Sequence, residues 1–246
     1  MRIEVNGRPA TADALAHPAL VNYGHFTAMQ VRGGRVRGLD AHLRRLDAAT
    51  RELFGTGLDA DRVRDLIRHA AGDEDASVRV SVYRPEAEPV VLVAVRPPVE
   101  APSSPQGLLP VVYERPVPHI KHVGGFGQIH FGLQARRAGF DDALLVLRDG
   151  RVAEGGITNI GFFRDGGVVW PDAPMLRGIT MHLIDERLRP GREEIRLDDL
   201  PSFDGAFVTN SLGIAPVTRI GDVSYPVSDQ MASVDKAYAS VPWDRI

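Results

Sequence analysis

Apolar and polar positions alternate along several stretches of the first 97 residues. "RIEVNGR" predicts a short edge strand that turns at Asn6-Gly7. "HFTAMQVRGGRVRGL" predicts two strands joined at Gly33-Gly34, because consecutive glycines between alternating segments favour a hairpin. "ASVRVSVYR" and "PVVLVAVRP" predict another strand pair. The pattern therefore indicates an antiparallel sheet in this part of the chain.

Helical periodicity follows the predicted hairpin. In "DAHLRRLDAATRELFG" the residues at helical spacing are Leu39, Leu43, Leu46, Thr50 and Leu53. Asp40 is a candidate N-cap of this helix and Gly55 a candidate stop. "DADRVRDLIRHAAG" predicts a second helix of the same kind. A sheet covered by two helices is an α+β layer arrangement.

The composition changes after Arg96, where "RPPVEAPSSPQGLLP" is rich in Pro and Ser and predicts a linker. Beyond it, helical patterns occur in "QIHFGLQARRAG", "RGITMHLIDERLR" and "SDQMASVDKAYASV". Strand patterns occur in "DDALLVLRDGRVAEGGITNIGFF", "GGVVWP" and "GAFVTNSLGIAPV". We therefore expect two mixed α/β domains, residues 1–97 and 117–246, joined by a linker over 98–116.

Composition excludes several classes of function. The formal net charge of −3 gives no basis for a nucleic-acid partner. The absence of cysteine excludes disulfides and thiolate chemistry, and the histidines lack metal-ligand spacing, so no metal is expected. "MRIEVNGRPA" has no apolar signal region, and no apolar run is long enough to span a membrane. We expect a cytoplasmic protein without a membrane partner.

Three charged residues suggest chemistry. Lys121, in "HIKHVGGFG", has apolar neighbours, and a lysine in a partly apolar setting can attack an aldehyde and form a Schiff base. Arg45 falls nearer the apolar stripe of its helix than Arg44 does, so it is expected to point inward. Glu154 ends a predicted strand just before two glycines. A solvated surface role is the ordinary alternative for each residue.

Two further segments could bind phosphate. "LRGIT" places Gly178, Ile179 and Thr180 at a helix start, where free N–H groups and the helix dipole favour an anion. "VTNS" ends a predicted strand with Asn210 and Ser211. A lysine, a distant acid, an arginine and two phosphate cradles are what pyridoxal phosphate requires. The acid would keep the pyridine nitrogen protonated, so that the ring accepts electrons.

These segments, in this order, resemble the class IV aminotransferases, also called fold-type IV pyridoxal-phosphate enzymes. "AHLRRL" is similar to the family's E-H-x-x-R-L, and "HIKH" to the segment that bears its lysine. "AGFDDALLVLRDGRVAEGGITNIGFF" is similar to G-x-D-E-A-L-x-L-D-x-x-G-x-V-x-E-G-x-x-x-N-I-F, the most specific match. "LRGIT" is similar to L-x-G-I-T, and "AFVTNSLGIAPV" to the strand and loop with a further phosphate contact.

The resemblance implies a fold and a set of roles. The fold is an N-terminal two-layer α/β sandwich and a C-terminal α/β pseudo-barrel. Lys121 would form the Schiff base and Glu154 would bind the pyridine nitrogen. The other implied cofactor-binding residues are Arg45, Asn159, Gly178, Ile179, Thr180, Asn210 and Ser211. The implied activity is amino transfer between an amino acid and a keto acid, by a homodimer with pyridoxal 5'-phosphate.

Departures from the family pattern leave the reaction open. Phe126 stands where aminotransferases commonly carry a Tyr, and "FTAMQV" resembles the F-T-T of aminodeoxychorismate lyases. Thr27 is therefore a candidate proton donor or simply a strand residue. Arg84 is a candidate ligand for the substrate carboxylate or a salt-bridge residue at a strand end. A lyase that releases pyruvate and 4-aminobenzoate, and a non-catalytic member of the family, remain alternatives.

Overall fold

A computed structural model describes residues 1–102 and 104–246. The chain forms two compact units. The first unit contains Met1–Val99, Ile120–Gly124 and Pro242–Ile246, and the second contains Glu100–His119 and Gly125–Val241. The segment that carries Lys121 and the last five residues thus group with the N-terminal part of the chain, whereas the sequence assigned them to a domain over 117–246.

The elements are numbered in chain order. The helices are α1 Ala12–Leu20, α2 Leu39–Phe54, α3 Ala60–Ala71, α4 Phe126–Arg137, α5 Ile179–Leu188 and α6 Met231–Ala239, with a 3-10 helix at Leu197–Ser202. The strands are β1 Arg2–Val5, β2 Arg8–Pro9, β3 His25–Val31, β4 Arg35–Arg37, β5 Ala76–Tyr83, β6 Val90–Arg96, β7 Gln106–Val112, β8 Asp142–Val146, β9 Val152–Gly155, β10 Asn159–Arg164, β11 Gly167–Pro171, β12 Gly191–Glu193, β13 Gly205–Asn210, β14 Gly213–Ile220, β15 Val223–Ser224 and β16 Trp243–Arg245.

The first unit contains an antiparallel sheet in the order β2-β1-β6-β5-β3. Alternate residues of β3 are buried, because successive side chains of a strand point to opposite faces of the sheet. The buried face of β3 meets α2, where Met29 and Val31 share a core with Leu39, Leu43 and Leu46. The predicted sheet with helices α2 and α3 is therefore confirmed.

Helix α2 begins and ends at glycines in the left-handed conformation, Gly38 (φ 69°) and Gly55 (φ 73°). Gly55 is the predicted stop. The predicted N-cap, Asp40, is wrong: it lies inside the first turn, and the backbone N–H of Leu39 donates to Asp244 Oδ2 at 2.9 Å. The acid that serves the helix start comes from the far end of the chain, where sequence spacing gives no signal.

Helix α1 was not predicted. It carries Pro18 near its end, which argues against a helix in sequence, and none of its residues is buried. Thr11 caps it, because its side chain accepts from the N–H of Ala14 at 3.2 Å.

The second unit is built on a mixed sheet in the order β12-β11-β10-β13-β14-β7-β8-β9, with β15 paired to β14. The pairs β7–β8, β7–β14 and β11–β12 are parallel, and the other pairs are antiparallel. Phe162, Phe163, Phe207 and Trp170 are fully buried side chains of this unit. The expected mixed α/β fold class is confirmed.

The predicted linker over 98–116 contains a strand. β7 joins the sheet between β14 and β8, and its Leu108 is buried. The Pro-rich composition around it, including Pro110 within the strand, concealed it, since Pro is normally confined to strand edges or irregular positions. Ser103, also within that predicted linker, lies outside the described residues.

Among the residues that the structure describes, no helix combines the length and the apolar character needed to cross a membrane.

Candidate functional site

Arg45 lies in the first unit, on the face of α2 that meets β3. As predicted, it turns inward while Arg44 is exposed. Its Nη2 donates to the hydroxyl of Thr27, a fully buried residue of β3. Its Nε is buried and has no hydrogen-bond partner among the described residues.

The charge of Arg45 has no acidic partner within residues 1–102 and 104–246. Burial lowers the pKa of its guanidinium to about 10. A buried charge is costly unless an opposite charge or hydrogen bonds compensate it. An inward-facing guanidinium that still has N–H groups without an acceptor is therefore suited to bind an anion.

Lys121 lies beside β3 in the first unit. The N–H of Phe26 donates to the carbonyl of Lys121 at 2.8 Å, and the N–H of Val123 donates to the carbonyl of Gly24 at 2.9 Å. These bonds fix the backbone of the segment 120–124 along the strand. The Lys121 amine lies 5.0 Å from the centre of the Phe26 ring, and neighbouring Ile120 is buried.

The number of lysines in the sequence also points to Lys121 as the reactive residue. The chain has only two lysines, and the other, Lys236, is exposed on α6. Lys121 is half-buried against an aromatic ring. Any covalent chemistry that needs a lysine in a partly apolar setting therefore has one clear candidate.

Thr27 and Arg84 belong to the same unit but to different places in it. Thr27 contacts Arg45 and also His42, whose Nδ1 lies 2.6 Å from its hydroxyl oxygen. Arg84, just after β5, donates to the carbonyl of Phe54 at 2.6 Å, at the end of α2. Arg84 therefore forms no salt bridge with an acidic side chain among the described residues, which was the alternative to a substrate-binding role.

Glu154 lies in the second unit, at the end of β9, with a cation beside it. Its Oε1 accepts from Nη1 of Arg115 at 2.8 Å, and the two side chains are only 6% and 3% exposed. Its Oε2 accepts from the backbone N–H of Leu176 at 3.3 Å. Arg115 was missed because it falls inside the predicted linker, where a Pro-rich context hides a buried residue.

A short run of hydrogen bonds connects Glu154 to the start of α5. Leu176, whose N–H binds Glu154, accepts from Nδ2 of Asn159 at 2.6 Å through its carbonyl. Oδ1 of Asn159 accepts from the N–H of Gly178 at 3.0 Å. A Cβ at Gly178 would collide with that oxygen, so this position requires glycine. Asn159 thus fixes the loop that leads into the helix.

The first turn of α5 is free of side-chain capping. Gly178 is the N-cap, and the first turn contains no acidic residue. The hydroxyl of Thr180 donates to the carbonyl of Asn210 at 2.6 Å, which joins the helix start to the end of β13. Uncapped N–H groups and the helix dipole make such a helix start suitable for an anion.

Asn210 and Ser211 follow directly at the end of β13. Oδ1 of Asn210 accepts from the N–H of Leu212 at 2.8 Å, which closes the turn into β14, and Ser211 is half-buried. In the second unit the structure therefore connects Glu154, Asn159, Gly178, Thr180 and Asn210 by direct or one-residue links. In the first unit, Arg45 and Thr27 are in contact.

A family model described as "Amino-transferase class IV" matches residues 24–220. A "Probable branched-chain-amino-acid aminotransferase" of Rickettsia bellii (strain RML369-C) is 25% identical over 229 residues, 82% of this chain and 79% of that protein. Two other curated relatives match over 84 residues, at 37% and 36% identity; these matches span only 29% of their length.

Solved structures share the fold. One is "A hypothetical aminotransferase from Mycobacterium tuberculosis, PLP-bound form", at 20% identity and a TM-score of 0.83, covering 98% of both chains. Another is a "Putative 4-amino-4-deoxychorismate lyase" from Legionella pneumophila, at 17% identity and a TM-score of 0.80, covering 91% of this chain and 93% of that one. Because the family model spans most of the sequence, the chain belongs to the class IV aminotransferase family.

Proposed function

We propose that this protein is a pyridoxal-phosphate-dependent aminotransferase that transfers an amino group between an amino acid and a keto acid. The observation that carries the proposal is the inward-facing Arg45, which has no acidic partner among the described residues, in the same unit as the half-buried Lys121. The Mycobacterium tuberculosis neighbour has a PLP-bound form and an alpha-ketoglutarate and PMP bound form, which supports the choice of cofactor and reaction.

The donor groups fit a phosphate ester. Arg45 supplies a guanidinium of which Nη2 donates to Thr27 and the other N–H groups have no hydrogen bond among the described residues. In the second unit, the N–H groups of Ile179 and Thr180 begin an uncapped helix, and Ser211 offers a hydroxyl. Asn159 and Asn210 contribute indirectly, because each fixes a backbone segment beside these donors. We assign the phosphate contacts to Arg45, Ile179, Thr180 and Ser211.

Lys121 and Glu154 have separate tasks. When bound, the cofactor supplies an aldehyde that combines with amines and an aromatic ring that accepts electrons from the substrate. Lys121 would hold this cofactor covalently and, once released by substrate, would take the proton from the substrate Cα as general base. Glu154 would accept a hydrogen bond from the ring nitrogen and keep that nitrogen protonated.

The buried cation beside Glu154 suits the acid to this task. Oε1 of Glu154 accepts from Arg115 and Oε2 accepts from the N–H of Leu176, and each oxygen of a carboxylate can accept more than one hydrogen bond. The neighbouring guanidinium also favours the ionised form of the acid. An ionised carboxylate can only accept hydrogen bonds, which is the property needed to bind a protonated ring nitrogen.

Release of pyruvate and 4-aminobenzoate from aminodeoxychorismate is the second candidate activity. The observation in its favour is Phe126, an exposed residue at the start of α4 that stacks on His130, in place of the Tyr common in the aminotransferases. The likeness of the fold to the Legionella pneumophila structure agrees with this candidate. The cofactor-binding residues serve both reactions equally.

A substrate panel tests the proposal. Purified protein with pyridoxal phosphate is mixed with L- and D-amino acids plus a keto acid, and separately with aminodeoxychorismate. We expect keto acid release from at least one amino acid, and none from the Lys121→Ala variant. Pyruvate and 4-aminobenzoate from aminodeoxychorismate, without amino transfer, would favour the lyase. Turnover of neither substrate class would contradict the proposed function.

A further inference from the structure

Two histidine–threonine pairs connect β3 with α2. In one pair, Nε2 of His25 lies 2.9 Å from the hydroxyl of Thr50. In the other, the hydroxyl of Thr27 lies 2.6 Å from Nδ1 of His42. All four side chains are buried. In the first pair the histidine lies on the strand and the threonine on the helix, and in the second pair the positions are reversed. Of the two threonines, only Thr27 also forms a hydrogen bond with Arg45.

The position of each proton in the Thr27 pair can be worked out. A guanidinium only donates hydrogen bonds, so Thr27 must accept from Arg45. Thr27 is fully buried, and His42 is its other hydrogen-bond partner among the described residues. A buried hydroxyl that donates to nothing is costly. The Thr27 proton therefore points to Nδ1 of His42, and the His42 proton lies on Nε2.

The electrostatics of the unit agree with this arrangement. Burial, then the charges of Arg45 and Lys121, hold the pKa of His42 well below its usual range. The imidazole is therefore neutral at ordinary pH and has one nitrogen available as an acceptor. The bonds run in one direction, from the Arg45 donor to the Thr27 oxygen and from the Thr27 proton to His42.

We propose that Thr27 and His42 are positioning residues that hold the Arg45 guanidinium by its Nη2, so that its other N–H groups are presented to the cofactor phosphate. Thr27 is then not the proton donor that the lyase-like "FTAMQV" motif suggests, because its only proton is committed to His42. Nη2 of Arg45 is committed to Thr27, and the other N–H groups of the guanidinium are left for the anion. This inference rests on the proposed use of pyridoxal phosphate.

The affinity of the apoprotein for pyridoxal phosphate, relative to pyridoxal, measures how well the phosphate is bound. Thr27→Val removes the acceptor for Arg45 with little change of shape, and it should lower this ratio by about tenfold, as expected for loss of a hydrogen bond to a charged group. Thr27→Ser keeps the hydroxyl and should restore the ratio. Thr50→Val is the matched control, because Thr50 pairs with a histidine but does not contact Arg45.

His42→Leu provides an independent measurement. Among the described residues His42 forms no hydrogen bond with Arg45, so we attribute a lower ratio in this variant to the loss of its contact with Thr27. We expect a decrease similar to that of Thr27→Val. In both variants saturating cofactor should recover much of the lost turnover, because the change weakens the binding of the phosphate and removes no group that transfers a proton to or from the substrate.

The possible results separate a failure of this inference from a failure of the proposed function. If wild type prefers pyridoxal phosphate and Thr27→Val keeps the same preference but loses turnover at saturating cofactor, Thr27 acts on substrate and this inference is wrong. An effect of Thr50→Val equal to that of Thr27→Val would also overturn it, since general loosening of the unit would then explain both. If wild type binds neither pyridoxal phosphate nor inorganic phosphate, the proposed function fails together with the inference.

Discussion

Replacing Arg115 with Met should destabilise the second unit by about 3–5 kcal/mol, because it removes a buried cation that donates to the carboxylate of Glu154. The side chains of Arg115 and Glu154 are 3% and 6% exposed, so water cannot replace the lost partner. Nη1 of Arg115 also donates to the carbonyl of Pro118 at 3.0 Å, and that acceptor would lose its donor as well.

The magnitude follows from the geometry of the ion pair. The two bonded atoms are 2.8 Å apart. At an effective dielectric constant of 20, two unit charges with centres about 4 Å apart attract each other by ~4 kcal/mol. Neutralising the acid should relieve about half of the penalty. We therefore expect the double variant Arg115→Met/Glu154→Gln to be about 2 kcal/mol more stable than Arg115→Met alone.

Urea unfolding of the apoprotein, followed by tryptophan fluorescence, measures this difference. The chain has two tryptophans: Trp170 is fully buried in the second unit, and Trp243 lies in the first. A Trp243→Phe background therefore makes the fluorescence report on the second unit. If Arg115→Met and the double variant unfold at the same urea concentration, or if Arg115→Met costs less than about 1 kcal/mol, the buried ion pair is not what stabilises this region.

Two further predictions concern the phosphate donors and the response to acid. Gly178→Ala should weaken pyridoxal phosphate binding by about tenfold in an equilibrium titration, because its Cβ would collide with Asn159. Gly167→Ala is the control, because a Cβ has room at that position. Equal affinities of the two variants would contradict the prediction. Burial, and after it the charge of Arg45, lowers the pKa of His25 to about 4. Because the unfolded state therefore binds this proton at a higher pH than the folded state does, the free energy of unfolding should fall as the pH drops from 6.5 to 4. The loss should be roughly 2–3 kcal/mol at pH 4.5 and smaller in His25→Gln; equal pH slopes would contradict it.

Strong local patterns predicted much of the fold. Helix α2 has an apolar stripe and a glycine stop, and strand β3 alternates strictly, so both were predicted from their own residues. Strand β7 has no such local signal, because its position in the sheet depends on parallel partners that lie far away in the sequence. The N-terminal end of α2 likewise depends on Asp244, more than 200 residues away.

The candidate site was predicted only in part for the same reason. Arg45 could be oriented from helical periodicity, and the start of α5 from its glycine. Arg115 could not be found, because its burial depends on a strand, β9, that meets it through tertiary structure alone. The contact of Thr27 with Arg45 and His42 also joins separate elements, so the sequence offered only a motif and not the direction of the hydrogen bonds.

Reduction with borohydride tests the central claim, that Lys121 holds the cofactor covalently. The protein is loaded with pyridoxal phosphate, reduced, digested and analysed by mass spectrometry, with Lys121→Ala and Lys236→Ala treated in parallel. Because the chain has only two lysines, the result is unambiguous. We expect the visible absorption band and the modified peptide at Lys121 in wild type and in Lys236→Ala, and neither in Lys121→Ala. A band that persists in Lys121→Ala, or a label found at Lys236, would contradict the account.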